Sequence, residues 1–145
     1  MSSVLGNTST SGLVASGLGS LTGLRRLNLK GNTFGRLDLA TSAAALTGLT
    51  YLSMVHTDTL DWHLARTTPF LPLLTDLDMR GCTNLNLRPF NDLSPPLFLA
   101  SLTALTRLDL SHTKVDDEGM EALLTPLTAL TCVACDTLQL WPCFG

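Results

Sequence analysis

The sequence predicts an α/β solenoid: similar units that each lend one short strand to a shared parallel sheet of about five strands and return through a short helix or irregular turn. Three observations carry the prediction. One phrase occurs five times, as Leu21-Thr22-Gly23-Leu24, Leu46-Thr47-Gly48-Leu49, Leu71-Pro72-Leu73-Leu74, Leu102-Thr103-Ala104-Leu105 and Leu127-Thr128-Ala129-Leu130. The closing leucines of these phrases, Leu24, Leu49, Leu74, Leu105 and Leu130, recur at steps of 25, 25, 31 and 25 residues. Each phrase leads to two apolar residues spaced by two (Leu27 and Leu29, Leu52 and Met54, Leu77 and Met79, Leu108 and Leu110, Val133 and Cys135), which is the side-chain period of a strand.

A period of 20 to 29 residues built on L-x-x-L-x-L-x-x-N/C resembles the leucine-rich repeat family, and the resemblance runs through nearly the whole chain. One such unit cannot bury its own apolar side, so neighbours stack and their strands line the concave wall of an arc. Eight residues past each closing leucine stand Asn32, Thr57, Cys82 and Thr113. The resemblance implies that this inward polar position bonds the backbone of the turn leaving the strand, which removes the cost of burying those groups. Leu138 holds the position in the fifth copy, so the ladder is expected to stop there.

Upstream of the first copy, residues 1–20 are rich in serine and glycine. A step back of 25 from Lys30-Gly31-Asn32-Thr33 reaches Leu5-Gly6-Asn7-Thr8, which sets Val4 opposite Leu29 and makes the segment a partial repeat. The expectation is therefore one leucine-rich repeat domain over 1–145, cut from a longer array. Copy one continues through Leu37-Asp38-Leu39 into alanines around Ala43-Ala44-Ala45, which favour a short convex helix. Copy two has a strand from Tyr51 to Val55 and returns through Leu60, Trp62 and Leu64, with Trp62 as a packing residue.

The six extra residues of copy three fall in 88–96, where Pro89, Pro95 and Pro96 exclude a regular helix and predict an irregular bulge. Copy four predicts a helix over 116–124, with Asp116 and Asp117 meeting its free N–H groups. Its Thr113-Lys114-Val115-Asp116-Asp117-Glu118-Gly119 is similar to the subtype of ribonuclease inhibitor and the GALA-type bacterial effectors, in that one repeat. Copy five ends in Leu138, Leu140, Trp141, Pro142 and Phe144, an aromatic cap or a cut edge.

Composition narrows the function. Hydrophobic residues make up 45% of the chain and charged ones 14%, with net charge −3, so there is no basic field for nucleic acid or an anionic membrane surface. No apolar run is long enough to span a bilayer, and the N-terminus lacks the basic flank and apolar stretch of a secretory signal, so the Asn7-Thr8-Ser9 sequon is expected to be unused.

Candidate chemistry is sparse. In Cys132-Val133-Ala134-Cys135 the two sulfurs point to opposite faces of a strand, and no second pair completes a zinc set; free thiols are expected, and with them a reducing, cytoplasmic setting. His56, Asp58, Asp61 and His63 crowd one loop and His112 and Asp116 another, and both sets read as solvated turn residues. His56 and His112, two repeats apart, are ~10 Å from each other at ~4.8 Å per strand, too far to share an ion. Neither a nucleophile elbow nor a phosphate loop is present. No enzyme, metal or cofactor is expected.

The outward columns of the concave sheet remain. Across the five copies they are Arg26, Tyr51, Asp76, Arg107 and Cys132; then Asn28, Ser53, Asp78, Asp109 and Ala134; then Lys30, Val55, Arg80, Ser111 and Asp136. Asp78 and Asp109 fall side by side, where like charges disfavour each other, and Arg80 and Arg107 are expected to offset them. The candidate binding residues are Arg26, Asn28, Lys30, Tyr51, Ser53, Asp76, Asp78, Arg80, Arg107 and Asp109, with the tyrosine and arginines as anchors. The resemblance implies a monomeric, non-enzymatic scaffold that binds a protein partner through this face. An alternative is the substrate-recognition part of an F-box-type ubiquitin-ligase adaptor or of a repeat effector.

Overall fold

The computed structural model describes residues 2–4, 21–33, 43–87, 97–124 and 126–136. Six strands of three residues each form one parallel sheet in chain order: β1 (Ser2–Val4), β2 (Arg26–Asn28), β3 (Tyr51–Ser53), β4 (Asp76–Asp78), β5 (Arg107–Asp109) and β6 (Cys132–Ala134). Five arise from the five phrases, and β1 adds a sixth. Leu27, Leu52, Leu77, Leu108 and Val133 stand opposite one another along the sheet, so the 31-residue step is absorbed without loss of register. The pairing of β1 departs from the 25-residue step. Val4 stands opposite Asn28 rather than Leu29, one residue away from the expected match.

The apolar positions do what the spacing requires. Leu24, Leu27, Leu29, Leu49, Leu52, Met54, Leu74, Leu77, Met79, Leu105, Leu108 and Leu110 all lie in one core cluster. Burying each such side chain contributes roughly 1.5–3 kcal/mol relative to leaving it in water. The strands are short, but the parallel hydrogen bonds continue past them, from Leu29 N to Ser53 O, from Met54 N to Asp78 O and from Leu110 N to Ala134 O.

A sharp turn then redirects the chain. Gly31, His56, Gly81 and His112 occupy the same register position and all have positive φ, at 70°, 54°, 69° and 60°. This is the left-handed region that glycine enters without steric cost. The polar ladder follows directly. Asn32 Nδ2 donates to Leu29 O at 2.9 Å, Thr57 Oγ1 to Met54 O at 2.8 Å and Thr113 Oγ1 to Leu110 O at 2.7 Å. Cys82 differs: its thiol reaches back one repeat to Met54 O at 3.0 Å and touches Thr57 Oγ1 at 3.4 Å, and burial pushes its pKa up.

On the return side, copy two forms a helix, α1 (Asp61–Thr67), followed by a 3₁₀ turn at Thr68–Phe70. Trp62 is half-buried there and stacks on His63 at 3.8 Å between centroids. Copy three returns through a 3₁₀ segment, Leu97–Ser101, and copy four through α2 (Asp117–Leu124). Asp116 Oδ1 accepts from Gly119 N at 3.1 Å at the start of α2, the expected cap. Of the alanine-rich segment of copy one, residues 40–42 lie outside the described residues and Ala43-Ala44-Ala45 lead into a turn, while the bulge at 88–96 and the chain end from Leu138 fall wholly outside them.

Two residues expected in solvent are buried. Asp61 is 9% and His63 1% exposed, because α1 turns both toward the body of the protein. His63 Nδ1 accepts from Leu60 N at 2.9 Å, which satisfies a free N–H at the helix start. Asp61 Oδ1 accepts from Asn86 N at 3.4 Å and Leu87 N at 3.3 Å, tying α1 to the following repeat.

Candidate functional site

The concave wall is built by the outward residues of β2 to β6. Alternation along each strand sends Leu27 or Leu77 into the core and leaves Arg26, Asp76 and their neighbours facing outward. The wall holds a depression of ≈ 280 Å³ lined by Arg26, Tyr51, Asp76, Asp78, Arg107 and Asp109, closed on one side by the small residues Cys132 and Ala134. Six of the ten candidate residues therefore meet in one hollow.

Most of their charges are matched within the wall. Arg80 grips Asp78 through Nε to Oδ1 at 2.9 Å and Nη2 to Oδ2 at 2.8 Å, and its Nε lies 3.5 Å from Asp109 Oδ2. The Asp78 hydrogen bonds, then the charges of both carboxylates, hold this guanidinium still more firmly protonated than usual. Arg80 thus offsets the adjacent Asp78 and Asp109 as expected. Arg107 does not take that part; its Nε pairs with Asp76 Oδ1 at 3.6 Å. Arg26 lies over the Tyr51 ring, 3.9 Å from its centroid.

The middle column has a structural duty that spacing did not reveal. Asn28 Oδ1 accepts from Lys30 N at 2.9 Å, Asp109 Oδ1 from Ser111 N at 3.0 Å and Asp78 Oδ1 from Arg80 N at 3.4 Å. Each side chain caps the backbone two residues on, as Asn and Asp do in turns. Ser53, the member of that column in copy two, is only 3% exposed: it is short and stands in register between Asn28 and Asp78. It offers a partner almost no surface. Lys30 is exposed at the rim.

A second row, absent from the sequence-based site, stands just before the strands. Thr50, Thr75, Thr106 and Thr131 each donate a side-chain hydroxyl to the backbone oxygen of the matching residue one repeat earlier, at 3.0 to 3.1 Å. The signal was in the repeated phrase, which places Thr after the closing leucine in four of its five copies.

The cysteine reading needs a correction. Cys132 is disulfide-bonded, whereas Cys82 is a buried thiol and Cys135 packs against the core. Cys132 lines the concave hollow, so the two cysteines of the C-x-x-C do face opposite ways. The expectation of a reducing compartment rested on every cysteine being a free thiol, and Cys132 does not meet it. Among the described residues, no group of three His, Cys, Asp or Glu side chains is placed to hold a metal ion, and no helix is long and apolar enough to cross a membrane.

A parallel one-strand-per-unit sheet with an inner leucine core and a polar ladder at the turn is the architecture of a leucine-rich repeat solenoid, and this chain has that fold. Known proteins agree: residues 101–124 match the family described as Leucine Rich repeat. The solved structure of internalin C2 from Listeria monocytogenes is similar, with 22% sequence identity and a TM-score of 0.50 over 81% of this chain and 54% of that one. This chain thus spans about half the length of that structure. Curated protein sequences give no match.

Proposed function

We propose that this chain is a non-enzymatic recognition scaffold that binds a protein partner through the concave face of its arc. The observation that carries the reading is the hollow of ≈ 280 Å³ on that face, where Tyr51 and alternating arginine and aspartate side chains from successive strands converge. Tyrosine and arginine supply large contact area and directional hydrogen bonds at interfaces. The Arg80–Asp78 and Arg107–Asp76 pairs fix side chains that would otherwise lose rotamer freedom on binding. Chemistry of its own would need an acid–base pair or metal cluster in the hollow, and its carboxylates are instead engaged with arginines and turn amides.

The test is quantitative affinity capture with the wild-type chain, the concave variants Tyr51→Ala and Arg107→Glu, and Lys114→Gln away from the hollow. Proteins retained by wild type and Lys114→Gln but lost by both concave variants support the reading. Equal retention by all four chains contradicts it.

A further inference from the structure

We infer that the β2–β3 end of the concave face is a receptor for carboxylates: Arg26, over the Tyr51 ring, and Lys30, in the turn just past β2, dock an acidic segment of the protein partner. This rests on the concave-face reading above and names the partner's chemistry.

Charge is unevenly distributed along the sheet. From β4 onward the outward columns carry Asp76, Asp78, Asp109 and Asp136 against Arg80 and Arg107, and both arginines are already paired with carboxylates. In copy two the matching positions, Tyr51, Ser53 and Val55, carry no charge, and Val55, expected to face outward, is buried. Arg26 and Lys30 on the β2 side are exposed, and neither has a carboxylate partner among the described residues; the Arg26 guanidinium contacts the Tyr51 ring. The wall is therefore polarised, cationic at β2 and anionic from β4 onward.

Stacking also prepares the group. The Tyr51 ring attracts the Arg26 guanidinium, 3.9 Å away at Cζ, without using up the N–H fork that a carboxylate would take. Part of the ordering that binding requires is already done. The ligand is a protein acid rather than a nucleic acid backbone, because two cations match one or two carboxylates. Nine basic residues against twelve acidic ones give the chain no field for a polyanion.

The test is fluorescence polarisation with three labelled ligands at low salt: a Glu-Gly repeat peptide, a Lys-Gly repeat peptide and oligothymidylate. The wild-type chain binds the Glu-Gly peptide, and Arg26→Gln weakens that binding about tenfold, the effect of losing one charge-assisted hydrogen-bonded pair. Tyr51→Leu weakens it several-fold with no change of charge, Tyr51→Phe restores it by keeping the ring, and Lys114→Gln changes it less than twofold. Equal losses in Arg26→Gln and Lys114→Gln reduce the effect to bulk charge and overturn the inference. So do absence of Glu-Gly binding and tighter binding of either other ligand. A captured partner lost by Arg107→Glu but kept by Arg26→Gln leaves the concave-face reading standing and removes only the acidic partner.

Discussion

The Thr106 hydroxyl donates to the Thr75 backbone oxygen at 3.1 Å across 31 residues, while Thr131 donates to Thr106 at the same distance across 25. The extra residues of copy three leave the contact unchanged. Each accepting oxygen also takes two backbone amides, as Thr75 O does from Thr106 N and Arg107 N at 2.9 and 3.0 Å. Thr106→Val keeps the shape and β-branching and removes one donor. It should lower unfolding stability in urea by about 1 kcal/mol with the m-value unchanged.

Core and surface substitutions on neighbouring strands should separate cleanly. Leu77 is 2% exposed between Leu52 and Leu108, so Leu77→Ala should cost ~2–5 kcal/mol, the usual range for a cavity left in a packed core. The Arg107 side chain is 67% exposed, and Arg107→Ala should change stability by less than about 0.5 kcal/mol. Melts in which the two variants fall equally would contradict the assignment of faces.

The left-handed turn makes opposite predictions for its glycines and histidines. A Cβ on Gly81, at φ 69°, would run into the His56 ring, so Gly81→Ala should destabilise by more than ~1 kcal/mol. His112 adopts φ 60° at the equivalent place; substitution keeps its backbone N–H bond to Asp136 and removes only the exposed Nδ1 contact with the same carboxylate at 3.0 Å, a surface pair worth little. His112→Gly should therefore be neutral or stabilising by up to ~1 kcal/mol in the same urea titration.

Asp61 ties α1 to the next repeat and gives stability a pH dependence of defined sign. Burial raises its pKa, and the two long bonds from Leu87 N and Asn86 N only partly offset this. A carboxyl harder to ionise folded than unfolded favours the fold below its unfolded pKa, and that contribution is lost as pH rises through its folded value. Asp61→Asn keeps an acceptor without the buried charge. It should abolish this component of the pH profile and be at least as stable as wild type at pH 7, whereas Asp61→Ala, which strands two amides, should be less stable throughout.

Much of the fold was legible because a one-strand repeat writes its geometry in spacing. The leucine columns and the parallel order follow from periods of 25 and two, and the helix near 117–124 from the aspartates at its start. Features set by three-dimensional neighbours were not legible in the same way. Asp61 and His63 look like loop residues in sequence, yet α1 buries them, since a helix of only seven residues gives a weak local signal that packing overrides. Asn28, Asp78 and Asp109 fell on the predicted face, but spacing says nothing of the backbone amides two residues on. Arg107 was assigned to the wrong carboxylates for a related reason: Asp76 is its direct neighbour across β4 and β5, and that contact outweighs the diagonal.

The account depends on successive leucine phrases lying side by side in one direction, and nuclear Overhauser contacts between strand backbones test this directly. It predicts contacts at sequence separations of 25 between β2 and β3, β3 and β4, and β5 and β6, and of 31 between β4 and β5, each with constant separation along the pair. Separations that shrink steadily along a pair, the signature of antiparallel hairpins, would contradict it.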